Sequence, residues 1–262
     1  REQNAGEHVL VVGRRSYDSD FFQGIPRYMV APSREFLDRH KDLLDALNGM
    51  RDLPPGRFRL DYSKAPIFTL LPHIGPLRTA SRLVHLDAVL NLLEGRTAEA
   101  VADAELLFQL AATLDEEPMV ISRLVQMAVD AQAVRIVEKT LRVGSIEPEA
   151  IRRLPDWIEA KLASSTMKWA LLGERAAWVE TTEQVADRKL SLASLTSASE
   201  DGAGAASIPS HLPNVILRVN QLTGTQMHTR LIDVADDPRK LLAEAQMLET
   251  EIPKLPHTRM LV

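Results

Sequence analysis

The stretch LRTASRLVHLDAVLNLLEGRTAEAVADAELLFQLAATL, residues 77–114, decides the fold. Its Leu, Val and Ala residues recur at intervals of three and four, which is typical of amphipathic helices, and Gly95 interrupts the pattern once. Gly is favoured just after a helix end because it adopts positive φ without strain. Thr97 follows as a predicted N-cap. The stretch therefore predicts two helices, Leu77–Glu94 and Thr97 to about Leu114, joined as an antiparallel αα-hairpin.

The same periodicity continues through most of the chain, so the predicted fold class is all-α, with stacked antiparallel helix hairpins. The other predicted helices are Ser33–Met50, which begins at an N-cap Ser33, residues 118–142, 149–154, Trp157 to about Lys189, Asn214–Val234, and Arg239–Glu251. The last of them follows a predicted cap at Asp236–Pro238. Five prolines between residues 51 and 76 exclude a continuous helix and predict an extended connector. The apolar residues expected to anchor this connector to the core are Phe58, Leu60, Tyr62, Ile67, Phe68 and Leu70.

The predicted helix at residues 118–142 has almost no polar face. A helix that is apolar on nearly all sides is usually covered on several of them, so we expect it to be the central helix. The same apolar excess is also compatible with a surface for a protein partner, because helical hairpins present grooves to peptides and helices.

The composition of the chain changes at one low-complexity tract, Ser191–Pro213, which is rich in Ser, Ala and Gly. This tract predicts a flexible loop or linker. The predicted organisation is therefore a helical-hairpin domain at 1–190, the linker at 191–213, and a C-terminal helical pair at 214–262 that packs on the first domain or stands apart from it.

The hairpin at residues 77–114 resembles a tetratricopeptide repeat. Gly95 stands at the turn, while Ala88 and Ala100 stand at positions where small residues let two helices approach closely. The other diagnostic positions depart from the repeat: they are Val84 and Ala104 at aromatic positions, Leu107 at a small position, and a late Pro118. A second approximate hairpin, at residues 127–151, is equally degenerate. The expected packing is tetratricopeptide-like without a regular array.

A longer run, Arg57–Ala131, resembles the middle of a set of uncharacterised helical bacterial proteins. The elements that carry this resemblance are Asp61-Tyr62, Pro72-His73, Arg78, Gly95 with Ala100, and Glu116-Glu117-Pro118. The resemblance implies a helical fold, export or membrane anchoring, and further sequence beyond residue 262. It implies no activity.

Composition excludes several function classes. The formal net charge is −5 with interspersed charges, which argues against a nucleic-acid partner. The chain has no Cys, so thiolate nucleophiles, disulfides and Cys-ligated metals are excluded. No apolar run is long enough to span a bilayer. Because the chain begins at Arg1, an upstream export signal or membrane anchor is compatible with it, and we favour a periplasmic or envelope-exposed location over a cytoplasmic one.

Motifs that carry a known catalytic mechanism are missing from the sequence, and we predict no catalytic, cofactor-binding or metal-binding residue. His73 and His85, with Asp61 or Asp87, could form a polar cluster that binds a metal or moves protons; the alternative is a turn residue and a partly exposed helix residue. His228 with Asp233 fits one helix face poorly. The acidic run 115–117 could attract a cation, although acidic residues before a helix N-terminus are also favoured by the helix dipole.

A polar stretch, NQLTGTQMHTR at residues 220–230, places several polar side chains on one predicted helix. These are Asn220, Gln221, Thr223, Gln226 and His228. They either line a polar interface, with Gly224 allowing another backbone to approach, or form a solvated face.

We therefore predict a non-enzymatic α-helical scaffold or protein-interaction subunit of a larger assembly, with protein partners and no cofactor. The alternative is a helical enzyme or ligand-binding protein whose pocket is built from dispersed polar residues such as Asp61, His73 and His85.

Overall fold

A computed structural model of the chain describes residues 25–51, 53–54, 56–61, 69–143, 148–152, 154–163, 166–190 and 214–251. Over these residues the regular secondary structure is helical, and no strand is present. The predicted all-α class is confirmed. The predicted linker at 191–213 lies outside the described residues.

The nine α-helices of the described residues are, in chain order, α1 Arg27–Arg39, α2 Lys41–Asn48, α3 Ile74–Leu93, α4 Thr97–Ala112, α5 Val120–Val143, α6 Leu154–Ala163, α7 Thr166–Ala186, α8 Asn214–Val234 and α9 Pro238–Glu251. A 3-10 turn, Pro148–Ile151, precedes α6.

The chain divides into two compact units. The first comprises 1–58, 72–116 and 124–164, and the second comprises 59–71, 117–123 and 165–262. Helix α5 therefore contributes its first turn to the second unit and the rest to the first. The domain boundaries expected from the sequence, at 190 and 213, stay a prediction.

Gly95 ends α3 as predicted. It has a φ of +79°, and the amides of Gly95 and Arg96 donate to the carbonyls of Leu92 and Asn91, which is the Schellman arrangement. The small residues Ala88 and Ala100 are both fully buried between helices. Thr97, predicted as the N-cap of the next helix, is instead its first helical residue. The sequence therefore located this turn to within one residue.

The central helix of the first unit is α4, and the prediction that residues 118–142 form the central helix is wrong. Eleven of the sixteen residues of α4 are buried. They are Ala100, Val101, Asp103, Ala104, Glu105, Leu106, Leu107, Phe108, Gln109, Leu110 and Ala111. By contrast, Ile121 and Leu124 of α5 are about half exposed. The composition of α5 showed that its faces are apolar, but it did not show which of them another element covers.

The first predicted helix begins earlier than expected and is broken. Ser33, predicted as its N-cap, is a fully buried residue inside α1, and Pro32 lies within the helix. Proline inside a helix lacks the amide for one hydrogen bond and its ring crowds the carbonyl four residues back, so Pro32 weakens α1 without ending it. A turn at His40 then separates α1 from α2.

The long helix predicted from Trp157 to Lys189 is two helices, α6 and α7. The short helix predicted at 149–154 is the 3-10 turn, and Pro155 lies in the first turn of α6 instead of marking a helix end. Proline is tolerated in a first turn because the amides there have no partner within the helix.

The connector anchors are only partly described. Phe58 is partly exposed and stacks on His73, with ring centroids 4.2 Å apart. Leu70 is 78% exposed, so the expectation that it anchors the connector to the core is wrong. Tyr62, Ile67 and Phe68 lie outside the described residues.

The second unit is built on the pairing of α7 with α8. Leu171 of α7 and Ile232 of α8 form its small apolar cluster with Ala235. Helix α9 begins as the sequence predicts, because the carboxylate of Asp237 accepts hydrogen bonds from the amides of Arg239 and Lys240.

Gly224 is the close-approach point between α7 and α8. A Cβ atom at this residue would overlap the indole ring of Trp178, whose Nε1 donates to the carbonyl of Gln221 at 3.3 Å. A neighbouring helix does approach Gly224, as the sequence suggested, but the approaching group is a side chain and not a backbone.

Gly224→Ala is expected to lower the free energy of unfolding of the second unit by about 1–2 kcal/mol, because displacement of the indole exceeds the gain in helix propensity. Gly49→Ala is the control, since Gly49 has helical φ and ψ at the C-terminal end of α2 and a Cβ there would come no closer than 3.4 Å to another atom. It should be neutral or slightly stabilising. Urea unfolding followed by tryptophan fluorescence measures both, and equal effects of the two substitutions would contradict the packing.

Candidate interaction surface

Helix α5 is fixed in the first unit by one of its faces. Val125, Val129 and Ala133 pack in the main core, and Ile136 packs with Ala88, Ala100 and Ala104 in a second cluster. Buried polar groups on the same side are also engaged: the hydroxyl of Thr140 donates to the carbonyl of Ile136. This face therefore determines which side of α5 points away from the core.

The opposite face of α5 is exposed and mostly apolar. The exposed fractions of its four largest apolar residues are 51% for Leu124, 47% for Met127, 42% for Val134 and 59% for Leu141. Ala131 and Glu138 lie in the same line and are also exposed. We call these residues the α5 seam: Leu124, Met127, Ala131, Val134, Glu138 and Leu141.

Basic residues follow one side of the α5 seam. Arg135 and Lys139 are partly exposed and Arg142 is exposed. On the other side, Asp130 of α5 forms an ion pair with Lys161 of α6, with a nitrogen-to-oxygen distance of 3.5 Å. The surface along the C-terminal half of α5 therefore carries excess positive charge.

His85 lies on the buried side of these basic residues. Burial, together with the positive charges of Lys139 and Arg135, lowers the pKa of the His85 imidazole to about 4. Burial and the charge of Arg135 also lower the pKa of Lys139. His85 is consequently a neutral core residue at pH 7, and not the partly exposed helix residue of the sequence interpretation.

The members of the predicted polar cluster have different surroundings. His73 stacks on Phe58, and Asp87 forms an ion pair with Arg34 at 2.7 Å. Asp61 is exposed and belongs to the other compact unit. Within the described ranges, no group of three or more His, Asp or Glu side chains is placed to hold a metal ion.

The acidic run before α5 contacts protein side chains. Asp115 accepts a hydrogen bond from Gln126 and lies 3.4 Å from the Lys161 ammonium, while Glu116 pairs with Arg57 at 2.8 Å. The first amide of α5, that of Val120, donates at 3.0 Å to Glu174 of α7. The helix N-terminus is thus capped by a distant acid that the local sequence did not indicate.

The polar stretch of α8 forms an interface with α7, which is one of the two alternatives from the sequence. Gln221 donates to the carbonyl of Val179, and Arg175 donates to the hydroxyl of Thr229, each at 3.3 Å. His228 donates from Nδ1 to the carbonyl of Gly224 in its own helix. Asp233 is exposed.

A buried ionic cluster that the sequence did not reveal joins α2 to the α3–α4 hairpin. Asp103 of α4 accepts from Arg51 at 2.6 Å and from Asn91 at 2.9 Å. Burial and the nearby Asp87 charge raise the Asp103 pKa to about 6, although Arg51 and Asn91 oppose the rise. The sequence signal for this cluster was Asp103, an acidic residue within a helix that is rich in Ala, Val and Leu. The position of Asp103 between Arg51 and Asn91 fits a structural role.

A groove of about 610 Å³ runs along α7, with Leu172, Ala176 and Val179 interspersed with Arg175, Glu180 and Glu183. The described residues that line it, from Leu172 to Lys189, are on or directly after this one helix.

Comparison of the chain with protein-family models, with curated proteins and with solved structures finds no match. None of the helices in the described part of the chain is both long and apolar enough to cross a membrane. On the described surface, the α5 seam places four large exposed apolar side chains on one helix face.

Proposed function

We propose that this chain is a non-enzymatic α-helical interaction subunit that docks a protein partner on the α5 seam. The observation that supports this proposal is a line of four half-exposed large apolar side chains on the face of α5 opposite the core. Single exposed apolar residues are ordinary on protein surfaces, whereas a contiguous apolar strip is typical of a binding site.

The energetics favour a partner. Burying a large aliphatic side chain completely is worth roughly 1.5–3 kcal/mol, so covering the exposed halves of four of them would contribute roughly 4 kcal/mol. That contribution is available only to a ligand that lies along the helix. The buried carboxylate of Asp103 is held by Arg51 and Asn91, which gives the alternative of a catalytic pocket less support.

The proposal includes tetratricopeptide-like stacking of hairpins. Support comes from the α3–α4 hairpin, in which Ala88, Ala100 and Ala104 are fully buried and Gly95 makes the turn. It also includes, from the resemblance to exported or anchored bacterial proteins, an assembly at the cell envelope. For this reason the test is done in intact cells.

Site-specific photocrosslinking tests the proposed docking face. A benzophenone side chain at Val134, on the α5 seam, is expected to give a discrete covalent adduct whose partner is identified by mass spectrometry. The matched control is the same group at Leu93, which is 52% exposed at the end of α3. Met127→Asp should abolish the adduct while circular dichroism and the urea midpoint stay unchanged. The proposal fails if Leu93 gives the same adduct or if Val134 gives none.

A further inference from the structure

The spacing of the α5 seam matches a helical partner. Its members lie at 124, 127, 131, 134, 138 and 141, so the steps alternate between three and four residues without exception. This is the a and d pattern of a heptad repeat, which places side chains in one line for knobs-into-holes packing with another helix. A strand, whose side chains alternate with a period of two, does not match this line.

The length of the α5 seam is also sufficient for a helix. Eighteen residues at 1.5 Å each extend about 27 Å, or five turns. Glu138 is the one charged member of the line, and a single polar residue at an a position is a common means of fixing the register of a helix pair.

The charges beside the α5 seam indicate the sign of the partner's charges. Arg135 and Arg142 lie at e positions directly beside the seam, and Lys139 lies on the same side at a b position, one step farther from it. Their mutual repulsion is evident at Lys139, where the positive charge of Arg135 adds to the effect of burial in lowering the pKa. On the other side, the Asp130 carboxylate lies 3.5 Å from the Lys161 ammonium, which also lies 3.4 Å from Asp115. Acidic groups are thus the ones that would be attracted to this helix.

A second copy of the same chain fits this charge pattern poorly. Parallel pairing of two α5 seams in register would place Glu138 against its own copy. Antiparallel pairing would bring the Arg135 side chains of the two copies close to each other on one side, near the middle of the seam. Like charges at these positions are unfavourable in both arrangements.

We propose that the partner of the α5 seam is an acidic amphipathic helix: its apolar a and d residues pack on the seam, and Glu or Asp residues at its flanking positions lie against Lys139 and Arg142. This proposal rests on the function proposed above and adds the chemistry of the partner to it.

Two synthetic 21-residue helical peptides test the proposal. Both carry Leu at the a and d positions; one has Glu at the flanking e and g positions, and the other has Lys. Fluorescence anisotropy with the full 262-residue chain is expected to show the Glu peptide binding about ten-fold tighter at 50 mM NaCl, with the difference decreasing at 300 mM NaCl. The double variant Lys139→Glu with Arg142→Glu should reverse the preference.

The control variant is Arg39→Glu with Lys41→Glu, which makes the same change of net charge at two exposed residues away from the α5 seam. It should retain the preference for the Glu peptide, and Val134→Asp should remove binding of that peptide.

Equal affinities for the two peptides would overturn the acidic preference while leaving the docking function intact. The helical partner would be excluded if neither peptide binds although Val134 crosslinks in cells, or if binding survives Val134→Asp. A dimer in sedimentation that Val134→Asp dissociates would identify a second copy as the occupant and overturn the proposal.

Discussion

Leu107→Ala is expected to lower the free energy of unfolding of the first unit by about 3 kcal/mol. Leu107 is fully buried in the middle of α4, where it packs in the main core with neighbours such as Val84 and Val129. Truncation removes three carbon atoms from a closely packed site, so both the lost transfer free energy and the remaining cavity contribute. The opening free energy from amide hydrogen exchange of α4 measures the effect locally.

Leu124→Ala is the matched control, because it makes the same chemical change on the neighbouring helix. Leu124 is 51% exposed, so its truncation should change the free energy of unfolding by less than about 1 kcal/mol. The comparison tests whether α4 or α5 is the central helix. Similar losses at Leu107 and Leu124 would restore the interpretation that the sequence first suggested.

The sequence predicted local features of the fold well. The turn at Gly95, the cap at Asp237 and the limits of α8 each depend on residues within a few positions, and each is present. Those features are set by backbone geometry and by short-range hydrogen bonds. This is the reason why one sequence is enough to locate them.

The layer to which each helix belongs could not be predicted in the same way. Helices α4 and α5 are both rich in Ala, Val and Leu, and periodicity shows only that a face is apolar, not that another element covers it. The decisive fact is tertiary: α5 packs through Val125, Val129 and Ile136, and its second apolar face is left exposed. The sequence interpretation did keep a partner surface as an alternative for this helix.

The residues that form the α5 seam were not identified from the sequence, for a related reason. Attention to His73, His85 and Asp61 followed residue type, because His and Asp are common in catalytic and metal sites. The structure buries His85, stacks His73 on Phe58 and leaves Asp61 exposed. The 3–4 spacing of the α5 seam was readable in the sequence, but its significance depends on exposure, which only the packing reveals.

The second large effect is expected in the pH dependence of the free energy of unfolding of the first unit. Asp103 and His85 change this free energy in opposite directions as pH rises. Burial raises the pKa of Asp103 from 3.8 to about 6, so the folded state binds more protons than the unfolded state between pH 4 and 6. The contribution of Asp103 to stability therefore falls as pH rises through that window, by about 3 kcal/mol at roughly 1.4 kcal/mol per pH unit.

The pKa of His85 shifts in the opposite direction to that of Asp103. Burial and the charges of Lys139 and Arg135 lower its pKa from 6.5 to about 4, so the unfolded state binds more protons between pH 4 and 6.5. The contribution of His85 to the free energy of unfolding therefore rises with pH through that window, by about 3 kcal/mol. Between pH 4 and 6 the two contributions largely cancel, and the intact chain should show a nearly flat profile from this pair.

Substituting one group of the pair is then expected to reveal the pH dependence that the remaining group causes. In Asp103→Asn, the free energy of opening of α4 should rise by about 3 kcal/mol from pH 4 to 6.5, because only His85 still titrates. In His85→Gln it should fall by about 3 kcal/mol from pH 4 to 6, because only Asp103 does. Asp38→Asn, at an exposed residue of α1, is the control and should follow the unmodified chain.

Amide exchange of α4 across this pH range, extrapolated to a common intrinsic rate, gives the three profiles. Slopes of the same sign in the two variants would show that these buried groups do not oppose each other, since opposite shifts of the two pKa values require slopes of opposite sign.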